Sequence, residues 1–569
     1  MPSRQIHSAF LLVAALALAG CGDGEEAPPE QAFGCRTLGA KTVACGSQGY
    51  AWRGLAPGPA EPLFDAELEA HATRLERQFH GLNAHGTQVT ADLTIATTRT
   101  EERELIADFV ASDSWDFEAF AGRSVPSVID GFGKTAGMYA GAGIAADAFR
   151  YATLRDQGAD CAEVEQARKF LEADLDVLHL VTAITGIPGG VARGFAQKDL
   201  PGAGQEPTTP LFDASGAPLP AEKNNGTWRD DNSGGSYPNV IWEDSCSRDM
   251  FSGWVLGYAS AWEAIANDPA FAEEKKQRLQ ADARAIGHSL MQVGAEGYDL
   301  EIKDPDGRRT YHGILNESSI DRAYLDGVQN GFNGMLALGI VAALAYVSED
   351  PALNAYLKKS LIAERGLHLM ARDSMIGVDL GVKSNYSSYN MAFLGGWLAV
   401  RYLCDEAARS VAREAVQVAL YDRPGQTRQP LEQKQSYFDL TYVAARSGSS
   451  AFAPPSADVD EPALARALET LSEFEPPPYY APVRLNCDAA EIASGQCVAE
   501  DGTALELLGY VGRGDELVAA APLPMRTRPS SNYHWRSNPY AVDSPSDGSA
   551  LLSGADFRVA YWMARFMRR

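Results

Sequence analysis

Apolar residues recur at helical spacing along most of the chain, and they fall into two alternating kinds of segment. Segments 137–147, 252–262, 333–343 and 389–399 are rich in Gly, Ala and aromatic residues and apolar on most sides, with a weaker copy starting at 436–442. Each is followed by a charged segment with a single apolar stripe, at 162–180, 271–291, 353–372, 408–421 and 462–474. Ahead of them the spacing predicts amphipathic helices over 61–82 (Leu68, Leu75, Phe79) and 101–111 (Leu105, Ile106, Phe109), and 556–566 reads as a last helix. A helix apolar all round with small residues belongs in an inner layer, and one with a single stripe belongs outside it. The alternation predicts an all-α fold, an (α/α) toroid of about six helical hairpins; two separate bundles are the rival arrangement. The irregular spacing excludes a short solenoid.

Extended structure is expected in one place. Residues 298–311 alternate around Asp304-Pro305-Asp306-Gly307, a strong turn signal, which predicts a β-hairpin on one rim among long loops. Asp304 and Asp306 lack the remaining ligands of a calcium loop. The Pro/Glu-rich stretch 454–478 reads as a surface excursion around one helix.

The first residues carry a different pattern. Arg4 precedes an apolar run from Ala9 to Ala19, too short to span a bilayer as a mature helix. The run ends Leu18-Ala19-Gly20-Cys21, which resembles the lipobox of bacterial lipoproteins. That resemblance implies a signal peptide over 1–20, cleavage before Cys21, and acyl chains on Cys21 that anchor the protein to a membrane of the bacterial cell envelope. Residues 21–60 read as an acidic, then Gly/Pro-rich tether, and 61–569 as a single domain. The formal net charge of −26 excludes nucleic acid as a partner, since phosphates would be repelled.

An oxidising compartment suits the cysteines. Cys35 with Cys45, and Cys487 with Cys497, each close a short loop and are expected to be local disulfides. Cys161 opens a helix and Cys404 closes one, so both read as packing residues, and Cys246 reads as a buried thiol without a His partner. No Cys-x-x-Cys or His-Glu-x-x-His spacing occurs, so no metal site and no cofactor are expected.

Candidate chemistry gathers ahead of the inner segments, where loops of a toroid would line its central cavity. The densest cluster is 242–249, Trp242-Glu-Asp-Ser-Cys-Ser-Arg-Asp249. Asp244 and Asp249 are expected as an acid and a base, with Arg248 holding one of them ionised. Trp228, Tyr237 and Trp242 are the expected sugar-stacking faces. As plain helix-start residues, Asp244 would be a cap and Asp249 a first-turn acid. Further polar groups precede the other inner segments: Asp130 and Lys134, Asp326 and Asn330, Asn385, Tyr389 and Asn390, and Tyr437 with Asp439. Arg193, after a glycine-rich turn, suits a carboxylate. His534 beside Trp535 is a candidate proton-transfer and binding pair, and His312 follows the hairpin.

The alternating hairpins with a carboxylate- and aromatic-lined rim resemble the (α/α)-toroid carbohydrate-active enzymes, over roughly 60–569. That resemblance implies action on a carbohydrate or other small polar substrate in a central cleft. Glycoside hydrolysis by Asp244 and Asp249 is the first expectation. A lyase on uronate-containing glycan is the second, with Tyr389 or His534 moving the proton and Arg193 or Asn390 neutralising the substrate carboxylate. A non-catalytic glycan- or protein-binding lipoprotein is the third.

Overall fold

A computed structural model describes residues 35, 37–38, 43–86, 89–219, 226–376, 378–426, 428–499, 501–528, 538–544 and 546–568. Cys21, with the rest of the leader, and His534 and Trp535 lie outside the described residues. The fold is mostly helical with a few small sheets.

Among the described residues, two layers of the body are built from α1 (Ala66–Gln78), α2 (Gly137–Asp156), α3 (Cys161–Ala183), α4 (Arg248–Ile265), α5 (Glu273–Met291), α6 (Gly331–Ser348), α7 (Leu367–Asp373), α8 (Tyr386–Tyr402), α9 (Glu406–Glu414), α10 (Ser436–Ser447), α11 (Glu461–Ser472) and α12 (Ala555–Phe566), and the predicted helix at 101–111 forms as Thr100–Ala111. The helices α2, α4, α6, α8, α10 and α12 are buried almost residue by residue. Each packs on the next in that order, α12 returns to α2, and α4 also touches α8. Around them lie the striped helices: α3 against α2, α5 against α6, α7 against α6, α9 against α8, α11 against α10 and α1 against α12. Helix α6 is apolar and long enough to cross a membrane, yet it is wholly buried inside this body.

Capping follows the layers. Asp65, Asp160, Asp405 and Asp460 accept backbone N–H bonds at the starts of the outer helices α1, α3, α9 and α11. Asn330 and Asn385 do so at the inner helices α6 and α8.

Several expectations need correction. The segment 353–372 is two helical pieces, because Gly366 at φ 62° ends one and α7 starts after it. The stretch 454–478 is no excursion: α11 buries Ala463, Leu464, Ala467 and Leu471 against α10. The chain after Ala499 forms short strands, including Ala504–Gly509 and Val518–Ala519, before α12, the first of them paired with Gln496–Val498. The outer partner of α12 is therefore α1, so the two ends of the chain close the body, and Arg558 of α12 reaches Glu76 of α1 at 2.8 Å. The hairpin at 298–311 forms, as Glu301–Lys303 paired with Arg309–Ile314.

Cys487 pairs with Cys497 as expected, but Cys35 and Cys45 do not pair with each other. Cys35 joins Cys404 and Cys45 joins Cys161, so the two cysteines read as packing residues are cross-link partners. Both bonds tie the N-terminal segment to helix ends of the body, where Leu55 and Ala56 are buried as well.

Candidate functional site

The segment 226–250 is built in two stages, a strand and then a sharp turn into α4. Val240–Glu243 is a buried central strand of a four-stranded antiparallel sheet, flanked by Gly194–Gln197 and Trp228–Asp230. The register sets Arg229 opposite Trp242, which brings its guanidinium to Asp244 two residues on. Arg229 Nε and Nη2 donate to Asp244 Oδ2 at 2.9 and 2.5 Å, and Thr227 N donates to Oδ1 at 2.9 Å. Asp244 is 1% exposed and does not line the cavity at the start of α4. Its carboxylate clamps the sheet edge.

After Asp244 the chain turns at Ser245, which holds φ 58°. The rim hairpin pins this turn: Ser245 N donates to Asp304 Oδ1, Tyr311 N donates to Ser245 Oγ and Thr310 Oγ1 donates to the Cys246 carbonyl. Asp304 thus holds the turn through an N–H. Helix α4 then starts, and its first residues face a cavity of about 630 Å³.

Three helix starts converge on that cavity. Ser247, Arg248 and Asp249 come from α4, Asn330 and Phe332 from α6, and Asn385, Ser387 and Ser388 from α8. The sheet adds Arg193, the hairpin region adds His312 and Asp321, and the C-terminal region adds Arg513. Arg193 Nη1 donates to Ser247 Oγ at 2.7 Å, and the Ser247 hydroxyl donates to Asp249 Oδ1. Arg248 Nη1 donates to Asn333 Oδ1 at 3.0 Å and Nη2 to Asp321 Oδ1 at 3.2 Å. His312 Nδ1 meets the same Asp321 oxygen at 2.9 Å. That bond, aided by the nearby arginines, holds the Asp321 carboxyl below the usual carboxylate range. Burial pushes the Arg248 guanidinium down, and among the described residues its Nε has no hydrogen-bond acceptor, while that of Arg193 lies 3.6 Å from Glu243 Oε2.

The expected site residues therefore separate. Arg193, Arg248, Asp249, His312, Asn330 and Asn385 face one cavity. Trp242 is fully buried with Nε1 donating to the Asp230 carbonyl, and Trp228 sits half-buried under Lys134. Tyr237 faces a different cavity. Tyr389 is 1% exposed and stacked on Tyr386, with burial raising its pKa, and Asn390 is wholly buried with neither amide atom bonded among the described residues. Asp130 pairs with Arg99 and Lys134 with Glu243, while Asp439 is buried beside Tyr421 and Arg466. Burial lifts the Asp439 carboxyl to about 7. Cys246 is a buried thiol without a disulfide, raised by desolvation, and makes no reactive nucleophile.

Sequence reasoning missed Asp321, Ser387, Ser388 and Arg513. Asp321 stands in a turn at φ 51° with no distinguishing spacing, and Arg513 arrives from far along the chain. The only available signal was the position of Ser387 and Ser388 in the first turn of an inner helix.

No protein-family model matches this chain, and no curated protein matches it. Among solved structures, a crystal structure of D-mannose isomerase aligns with 63% of this chain and 88% of its own, at 11% identity and a TM-score of 0.27. A likeness of that size carries no inference about activity.

Proposed function

We propose that the chain is an (α/α)-toroid glycan-active enzyme, a glycoside hydrolase, anchored at the bacterial cell envelope through acyl chains on Cys21. The observation that carries the proposal is the pair of carboxylates, Asp249 and Asp321, on one polar cavity at the starts of α4, α6 and α8. Asp321 takes the place that the sequence suggested for Asp244. It is kept ionised by His312 and Arg248 and serves as base or nucleophile. Asp249, bonded by Ser247 beside Arg193, serves as the acid. Asn385 and Ser388 at the start of α8 suit the hydroxyls of a sugar.

One observation favours a lyase on uronate-containing glycan as the second reading. Three arginines, Arg193, Arg248 and Arg513, line this cavity in a chain of net charge −26. Such a lyase would neutralise the uronate carboxylate with arginine and take the proton with His312, because Tyr389 lies outside the cavity.

The test is turnover of neutral and uronate-containing polysaccharides by the purified chain beside Asp249→Asn and Asp321→Asn. Both reducing ends and the absorbance of unsaturated product are read. Reducing ends without that absorbance, lowered by about 10²–10⁴ in each variant, support the hydrolase. The absorbance moves the assignment to the lyase. Silence from a folded protein across the panel leaves the glycan- or protein-binding lipoprotein.

A further inference from the structure

A second cavity, of about 530 Å³, opens between the end of α1 and the flank of α3. Its apolar walls include Phe79, Val89, Phe170, Val177 and Leu180; His80 and Asp174 face it inside, and Asp176, His179, Tyr237 and Arg278 also line it. It shares no lining residue with the cavity at the starts of α4, α6 and α8. An apolar hollow of this size with a few convergent polar groups has the form of a small-molecule site.

Behind His80 and Asp174 lies a buried charge network of Glu76, Asp147 and Arg558, each under 3% exposed. Glu76 Oε2, His80 Nε2 and Asp147 Oδ1 converge as metal ligands would. Arg558 Nη2, however, lies 2.8, 3.3 and 2.7 Å from those same three atoms. The point a metal would occupy already holds a cation. Asp174 is different. It is 4% exposed, and no donor among the described residues reaches its Oδ2 or the Oδ2 of Asp147. The two carboxyls are within hydrogen-bonding range of each other, so they share a proton.

We propose that this cavity binds a small primary amine with an apolar or aromatic body, its ammonium on Asp174 and its body between Phe79, Phe170 and Leu180. An anion would meet the buried carboxyl of Asp174, with Glu76 and Asp147 behind it already taken up by Arg558 and His80. A neutral ligand would leave the shared proton in place. An ammonium replaces it: the ligand enters charged, the Asp174 proton leaves to solvent, and no covalent bond changes. Before binding, burial and the neighbouring Asp147 hold the Asp174 carboxyl well above its ordinary range. The other charged groups facing the cavity are partnered: His80 on Asp147 and Glu76, His179 on Asp282, and Arg278 and Lys275 on Asp176. Tyr237 stands beside them. Amine affinity is therefore expected to rise about tenfold per pH unit while Asp174 starts protonated.

The test is titration calorimetry of the purified full chain with 2-phenylethylamine, in two buffers of different ionisation enthalpy, beside the neutral isostere 2-phenylethanol. The variants are Asp174→Asn and Ala173→Phe, the latter at an exposed residue lining the cavity. The expected result is amine binding with release of about one proton, weakened at least about tenfold and stripped of proton release in Asp174→Asn. Ala173→Phe is expected to weaken binding without touching the charge network, and the alcohol to bind far more weakly. The proposal is overturned if Asp174→Asn or Ala173→Phe binds the amine as well as the parent. Equal binding of the alcohol, or no binding of millimolar amine by the folded parent, overturns it too.

Discussion

Asp244 and Asp249 stand five residues apart in opposite surroundings, and the difference is measurable. Asp244 forms a desolvated pair with Arg229, their side chains 1% and 4% exposed. Removing one partner of such a pair strands a buried charge, so Asp244→Asn is expected to lower stability by about 3–5 kcal/mol. Asp249→Asn keeps an Oδ1 that accepts from Ser247 at the cavity edge, and thermal melting should show it close to the parent while turnover is lost. A melting temperature for Asp249→Asn as low as that of Asp244→Asn would place both in the framework. His71 carries a second prediction. It stacks on Phe557 with Nε2 buried and unbonded, and burial lowers its pKa to about 4. The unfolded chain therefore binds a proton that the native chain refuses between about pH 6.5 and 4, and stability falls as pH drops through that window. A shift of that size corresponds to about 3 kcal/mol. His71→Phe keeps the stack and is expected to remove this part of the acid sensitivity, read by denaturant titrations at pH 7 and 4.5.

Among helices, glycines decide how close the inner layer can pack. A Cβ on Gly141 of α2 would fall 1.7 Å from the carbonyl oxygen of Gly253 on α4, and one on Gly339 of α6 would fall 2.3 Å from that of Gly395 on α8. Backbone meets backbone at these crossings, so no side chain can move aside. Gly141→Ala is expected to cost about 3 kcal/mol or more, against a typical gain for Gly→Ala in an exposed helix. A melting temperature equal to or above the parent would show that α2 and α4 separate without loss. The alternation of glycine-bearing and charged helices was legible because each kind obeys one period and one burial rule. The break at Gly366 was legible in principle, since that glycine interrupts an otherwise charged helix. The strands after Ala499 were not, because their short runs carry too few residues to establish a period.

For the whole molecule, the two long-range disulfides fasten the N-terminal segment to α3 and α8, across 116 and 369 residues of chain. In the chain-entropy account a loop of 116 residues restricts the unfolded state by about 5 kcal/mol, and the 10-residue loop of Cys487–Cys497 by about 3 kcal/mol. Replacing Cys45 and Cys161 by Ser is therefore expected to depress the melting temperature more than replacing Cys487 and Cys497. Equal depression would mean that the N-terminal segment holds to the body without its cross-link.

By itself the sequence determined the helical class, the inner and outer layers and most helix positions, because burial pattern and period act within one helix. It also marked the starts of α4 and α8 as places where polar side chains collect. Only the tertiary structure decided which of those side chains share a space. Asp244 turns into the sheet and Asp249 into the cavity because Arg229, paired across the strand from Trp242, claims the first. Asp321 and Arg513 join from distant segments, and Cys35 finds Cys404 and not Cys45. Such pairings depend on where remote segments come to lie, and hydrophobic periodicity along the chain holds no information about that.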